Sequence, residues 1–95
     1  LGKQYAISYL PEDSLPDVYG LCHKGYQRIE VRDGLPAGEE VDTVLHEVLH
    51  AIVFGMGLRS SPATEEKFVL TIASGLLSVL QDNPRFAQWL IQPRT

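Results

Sequence analysis

The apolar and polar positions of the chain change period part-way along it. Residues 3–10, KQYAISYL, alternate, with Tyr5, Ile7 and Tyr9 on one face, as in a half-buried strand. Residues 11–17, PEDSLPD, hold two prolines and three acids and read as a loop. Segments 18–23 and 26–32 flank Lys24-Gly25, and the second alternates Ile29 and Val31 against Arg28, Glu30 and Arg32. This predicts a hairpin with a tight, glycine-containing turn. Asp33-Gly34 breaks the strand and Pro36 suits a helix start, so a helix is predicted over about 37–55, ending at Gly55 or Gly57. Residues 56–63 read as a loop. Thr64 is the candidate N-cap of a second helix running to about Gln81, with Val69, Ile72, Ala73, Leu76 and Leu80 on one face. Asn83-Pro84 interrupts it, and 86–91 reads as a short third helix in which Trp89, Phe86 and Leu90 dock onto the core. Strands first and helices afterwards predict an α+β fold: a small antiparallel sheet of about three strands followed by three helices. No repeat or linker divides the chain, so residues 1–95 form one domain.

The first helix breaks its own pattern. DTVLHEVLHAIVF, 42–54, sets His46, Glu47 and His50 among Val44, Leu45, Val48, Leu49, Ile52 and Val53. Buried imidazoles cost desolvation free energy unless something partners them. Positions i and i+4 of a helix share one face, so both rings can present a nitrogen to one ion at about 2.0–2.1 Å. A carboxylate beside the first histidine is placed to act as general base toward a water at that ion. His46 and His50 are therefore the candidate metal ligands, with Zn²⁺ the expected metal, and Glu47 is the candidate catalytic residue. A further ligand is needed. No third histidine follows Gly57, but Glu65-Glu66 opens the second helix. Glu66 shares a face with Val69 and Ala73 and is favoured; Glu65 lines up with Phe68, Val69 and Ile72. An acid in the first helical turn also complements the helix dipole, which is the role expected of the other glutamate.

Composition narrows the alternatives. At 95 residues the chain buries only about 60–65% of its unfolded surface, so a metal or a partner is a useful source of stability. The single cysteine, Cys22, excludes an internal disulfide. A net charge of −4 argues against a nucleic-acid partner, and no apolar run reaches the roughly 20 residues of a membrane span. With no stretch reading as a signal peptide, a cytoplasmic protein is expected.

HEVLH followed by E-x-x-V-x-x-I-A at 66–73 resembles the gluzincin branch of zinc metallopeptidases. It is most similar to small single-domain members of the ImmA/IrrE-like type and to short predicted metallopeptidases of tailed phages and prophages. The likeness covers about 3–92 in architecture and 42–54 and 64–80 in motif. It implies His46 and His50 as ligands, Glu66 as the third ligand, Glu47 as base and a peptide or protein substrate. In a phage setting the host cytoplasm or the virion would be its place. One position departs: many relatives carry Asp or Asn four residues after the ligand glutamate to brace a histidine, where this chain has Leu70. Tyr19, Tyr26 and His23 are weaker candidates for a donor to an oxyanion, and Cys22 for a metal-blocking thiol; an ordinary strand or surface role is favoured for the first three and a small buried apolar role for Cys22. The alternative to a peptidase is a non-catalytic domain stapled by zinc, such as a virion or assembly component with a protein partner. A DNA-associated protease of the SprT type is disfavoured by the negative charge.

Overall fold

The computed structural model describes residues 4–57 and 59–93. Lys3, at the start of the first expected strand, and Leu58, in the expected loop 56–63, lie outside them. Strands β1 (Ala6–Leu10), β2 (Gly20–His23) and β3 (Arg28–Arg32) precede helices α1 (Ala37–Gly55), α2 (Pro62–Asp82) and α3 (Pro84–Ile91). The α+β class and the order of elements are as the periodicity predicts.

The sheet is mixed rather than antiparallel. β3 lies in the middle, antiparallel to β2 through the expected hairpin and parallel to β1. The hairpin turns through a short 3₁₀ segment, Lys24–Tyr26, and Gln27 takes the left-handed conformation at its end (φ 53°). Because β3 separates β1 from β2, the segment between them must pass across one end of the sheet. Arg32, at the end of β3, anchors that crossing. Its Nη2 donates to the carbonyls of Leu15 (2.6 Å) and Pro16 (3.1 Å), and its guanidinium lies 5.0 Å from the Tyr19 ring centroid.

Alternation places Ile29 and Val31 on the helix-facing side, and both are fully buried. Their register partners on that side are Ile7 and Tyr9 in β1 and Cys22 and Gly20 in β2. α1 packs against β2 and β3, α2 packs on α1, and α3 packs on α2. The centre of the core is completed by Ala51 and Val53 of α1, Val69 and Ala73 of α2, and Leu15.

Three details differ from the periodicity. α2 begins at Pro62 with Ser61 as its N-cap, not Thr64. The Ser61 hydroxyl accepts from the Thr64 amide (3.2 Å), and proline at the first helical position has its φ set for the turn. Ile72 is exposed and Leu76 and Leu80 are half-buried, because α2 meets α1 only along the stripe through Val69 and Ala73. Trp89 does not dock into the core: it is 57% exposed and stacks on Phe86, since α3 follows α2 directly and touches no strand closely. No helix among the described residues is long and apolar enough to cross a membrane.

Candidate metal centre

α1 carries two adjacent stripes with different neighbours. Thr43, Glu47 and Ala51, four residues apart, are buried on the sheet side. Gly20 of β2 lies opposite: a β-carbon added there would stand 2.7 Å from Thr43 Cγ2 and 3.1 Å from Glu47 Cγ. His46 and His50 occupy the next stripe and face α2, their ring centroids 5.0 Å apart in an edge-on arrangement. The helix thus turns its carboxylate toward the sheet and its imidazoles toward the second helix.

Glu66 reaches both rings. Its Oε1 lies 2.8 Å from His46 Nε2 and its Oε2 lies 3.0 Å from His50 Nε2. One donor atom from each of His46, His50 and Glu66 can be chosen so that all lie within 4.8 Å of one another. Donors bound to one zinc-sized ion at about 2.0–2.2 Å stand roughly 3.3 Å apart in a tetrahedron, a spacing that the Glu66 contacts to each ring already approach. Glu66 is 49% exposed at its side chain and has the freedom to rotate. The two imidazoles and the carboxylate favoured from the sequence are therefore brought together.

Glu65 is placed differently. Its Oε2 lies 2.5 Å from His50 Nδ1 and 3.1 Å from Lys24 Nζ, and its side chain is only 14% exposed. A carboxylate oxygen only accepts, so a proton on Nδ1 is donated to Glu65, while Nε2 is the nitrogen turned to the Glu66 side. The bond to His50 holds the Glu65 carboxyl below the ordinary glutamate range, helped by Lys24 and opposed by burial. Glu65 thus meets the second ring nitrogen of His50, a contact that the resemblance assigns to the position held here by Leu70. Leu70 is 53% exposed and plays no part in the site. The run Glu65-Glu66 contains this information, but only the crossing of α1 and α2 shows which glutamate meets which nitrogen.

Glu47 is 8% exposed, and among the described residues its carboxylate accepts no hydrogen bond. Burial pushes its carboxyl above the ordinary glutamate range; the two imidazoles partly oppose this and Glu66 reinforces it. A carboxylate in that state is a stronger proton acceptor than one in water.

These side chains line a cleft of about 890 Å³ whose other wall is the segment Val18–Cys22. β2 is an edge strand of the sheet, so among the described residues its outer backbone groups have no partner strand. Of the three candidate oxyanion donors only Tyr19 is among the residues lining this cleft, and its ring lies against Arg32 (5.0 Å), on the face of the sheet away from the histidines. His23 bonds Glu30 (2.6 Å) on the opposite face of the sheet, and Tyr26 is 81% exposed. Cys22 lines the cleft, but its thiol is not among the grouped donors; burial, aided by Glu47, raises its pKa. Asp17, Asp42 and Lys24 also reach the cleft and were not marked by any spacing. No family model matches this chain, and no match was found among curated proteins or solved structures.

Proposed function

We propose that this chain is a zinc-dependent peptidase. The observation that carries the reading is Glu47, a buried carboxylate one residue from His46 that lines the same cleft as His46, His50, Glu66 and the free edge of β2. His46 and His50 would hold the ion through their Nε2 atoms and Glu66 through a carboxylate oxygen, a two-histidine, one-glutamate set that leaves a position open. When bound, zinc supplies the Lewis acidity that polarises a scissile carbonyl and brings the pKa of water toward neutrality.

The remaining chemistry belongs to the chain. An extended peptide adds to the edge of β2, its backbone paired with the outer groups of residues 20–23. Glu47 accepts a proton from the attacking water as the oxygen bonds to the carbonyl carbon. It then returns that proton to the nitrogen as the carbon–nitrogen bond breaks. The test compares wild type with Glu47→Gln on a diverse peptide library, zinc content being measured in both. Cleavage by wild type, reduced by several orders of magnitude in a zinc-loaded Glu47→Gln protein, is expected; equal cleavage in the two overturns the reading.

A second reading has its own support. The histidines belong to α1 and the glutamate to α2, so an ion would tie together two helices of a fold whose buried apolar set is small. A zinc-stapled structural or assembly domain needs nothing more. Tight zinc binding with no cleavage by wild type selects that reading.

A further inference from the structure

Two adjacent glutamates open α2, and one of them is held by a residue from the other end of the sheet. Lys24, in the β2–β3 turn, donates to Glu65 Oε2 (3.1 Å). The same oxygen accepts from His50 Nδ1 (2.5 Å). The ammonium of Lys24 also lies 5.9 Å from the centroid of the Phe54 ring, one turn beyond His50 on α1. The ammonium group is therefore placed by an aromatic face and a carboxylate together. Glu66, by contrast, is half exposed, and among the described residues its carboxylate meets only the two histidines.

We propose that Lys24 and Glu65 act as one positioning unit for His50. Glu65 keeps the Nδ1–H tautomer, which leaves the Nε2 lone pair for an ion. Lys24 keeps Glu65 in that role and so leaves coordination to Glu66. A carboxylate free of Lys24 has no such restraint: it can rotate toward the ion, or leave His50 to turn about its χ angles. The hairpin turn thereby determines which of two neighbouring carboxylates is the ligand. The proposal rests on the metal-centre reading, but not on catalysis, and holds equally for a structural ion.

The physical reason for an effect on affinity is orientation. A ligating imidazole whose second nitrogen donates to a carboxylate is fixed in ring plane and tautomer and is more basic at the ligating nitrogen, and losing that partner typically weakens binding 10- to 100-fold. Part of the effect should survive in Glu65→Gln, because an amide oxygen still accepts the Nδ1 proton, and none of it in Glu65→Leu. Lys24 acts only through Glu65, so its removal matters while Glu65 is present and not otherwise.

The experiment measures Zn²⁺ affinity of the full chain by competition with a chromophoric chelator. The proteins are wild type, Glu65→Gln, Glu65→Leu, Lys24→Met and Lys24→Met/Glu65→Leu, each checked for fold by circular dichroism. Long-range proton–nitrogen spectra of the zinc-loaded proteins report the His50 tautomer. The expected result is a loss of about 10- to 100-fold for Glu65→Leu, a smaller loss for Glu65→Gln, and a loss for Lys24→Met that disappears in the Glu65→Leu background. A single Nδ1–H form of His50 is expected in wild type and a mixture or altered shift in Glu65→Leu. Wild-type affinity in Glu65→Leu, an unchanged tautomer, or full additivity of the Lys24 and Glu65 losses overturns the proposal. Should Glu65→Leu not fold, the near-isosteric Glu65→Gln and its combination with Lys24→Met decide the same question. Zinc failing to bind wild type overturns the metal centre itself, and this inference with it. Zinc binding without peptide cleavage overturns only the peptidase.

Discussion

Gly20 and Glu47 meet where β2 crosses α1: a β-carbon on Gly20 would lie 3.1 Å from Glu47 Cγ. The closer obstacle is Thr43 Cγ2, at 2.7 Å, and a further one is the carbonyl of Glu30, at 3.3 Å. A threonine side chain is stiff at χ1 and cannot simply swing aside. Gly20→Ala is therefore expected to destabilise by about 1–3 kcal/mol, the usual range for overpacking. Urea denaturation measures it. Thr43→Ser removes the obstructing methyl, so Gly20→Ala/Thr43→Ser should be less destabilised than the sum of the two single changes. Strict additivity would mean that this contact does not limit the approach of helix and strand.

The ion proposed here joins α1 to α2, so its removal should loosen the packing of those helices as well as empty a site. A ligand at a thousand times its dissociation constant stabilises the native state by about 4 kcal/mol. For a domain of this size each kcal/mol corresponds to roughly 4–8 °C in Tm. Chelation is expected to lower Tm by on the order of 15 °C or more, and excess Zn²⁺ should restore it. His46→Ala should melt at the chelated value with or without zinc. An unchanged Tm after verified loss of zinc would exclude a stabilising role.

The phenol of Tyr9 donates to Glu40 Oε2 (2.7 Å), linking β1 to the first turn of α1. That bond, followed by desolvation and the charges of Glu40 and Asp33, raises the Tyr9 pKa above its ordinary value of 10.0. Where the folded state binds a proton more tightly than the unfolded state, stability falls as pH rises through the interval between the two pKa values. The contribution of Tyr9 is thus present in full below about pH 10 and is lost above it as the folded-state phenol ionises. Tyr9→Phe should be less stable than wild type at pH 7–9, and the gap should close at higher pH. Taking the difference between the two proteins removes the other groups that titrate there. A gap that stays constant through pH 11 would show that the hydrogen bond contributes nothing.

Much of the local structure was legible along the chain because it depends on near neighbours. Period-two runs mark β1 and β3, the Lys24-Gly25 turn marks the hairpin that holds β2, Pro36 and Gly55 bound the first helix, and Asn83-Pro84 separates the last two. His46 and His50 share a face wherever α1 lies, since helical geometry alone puts positions i and i+4 together. The buried stripe of α1 was harder to read. Apolar residues surround the helix, and the neighbours actually present leave Thr43 and Glu47 more buried than Val44 or Leu45.

What required the tertiary structure was every choice between faces and partners. Alternation gives a strand its two sides but not its neighbour, so the insertion of β3 between β1 and β2, and with it the parallel pair, could not be read from the hairpin. Trp89 looks like a core anchor by composition, yet α3 leaves it more than half exposed. Glu65 and Glu66 stand roughly 100° apart around α2, and their spacing alone allows either to face α1. Only the crossing of α2 over α1 puts Glu65 on His50 Nδ1, where Lys24, forty-one positions away in sequence, also bonds it, and Glu66 between the two Nε2 atoms. Helical periodicity is a short-range property, whereas the selection between two adjacent carboxylates is an electrostatic contact made only when the hairpin turn and both helices have met.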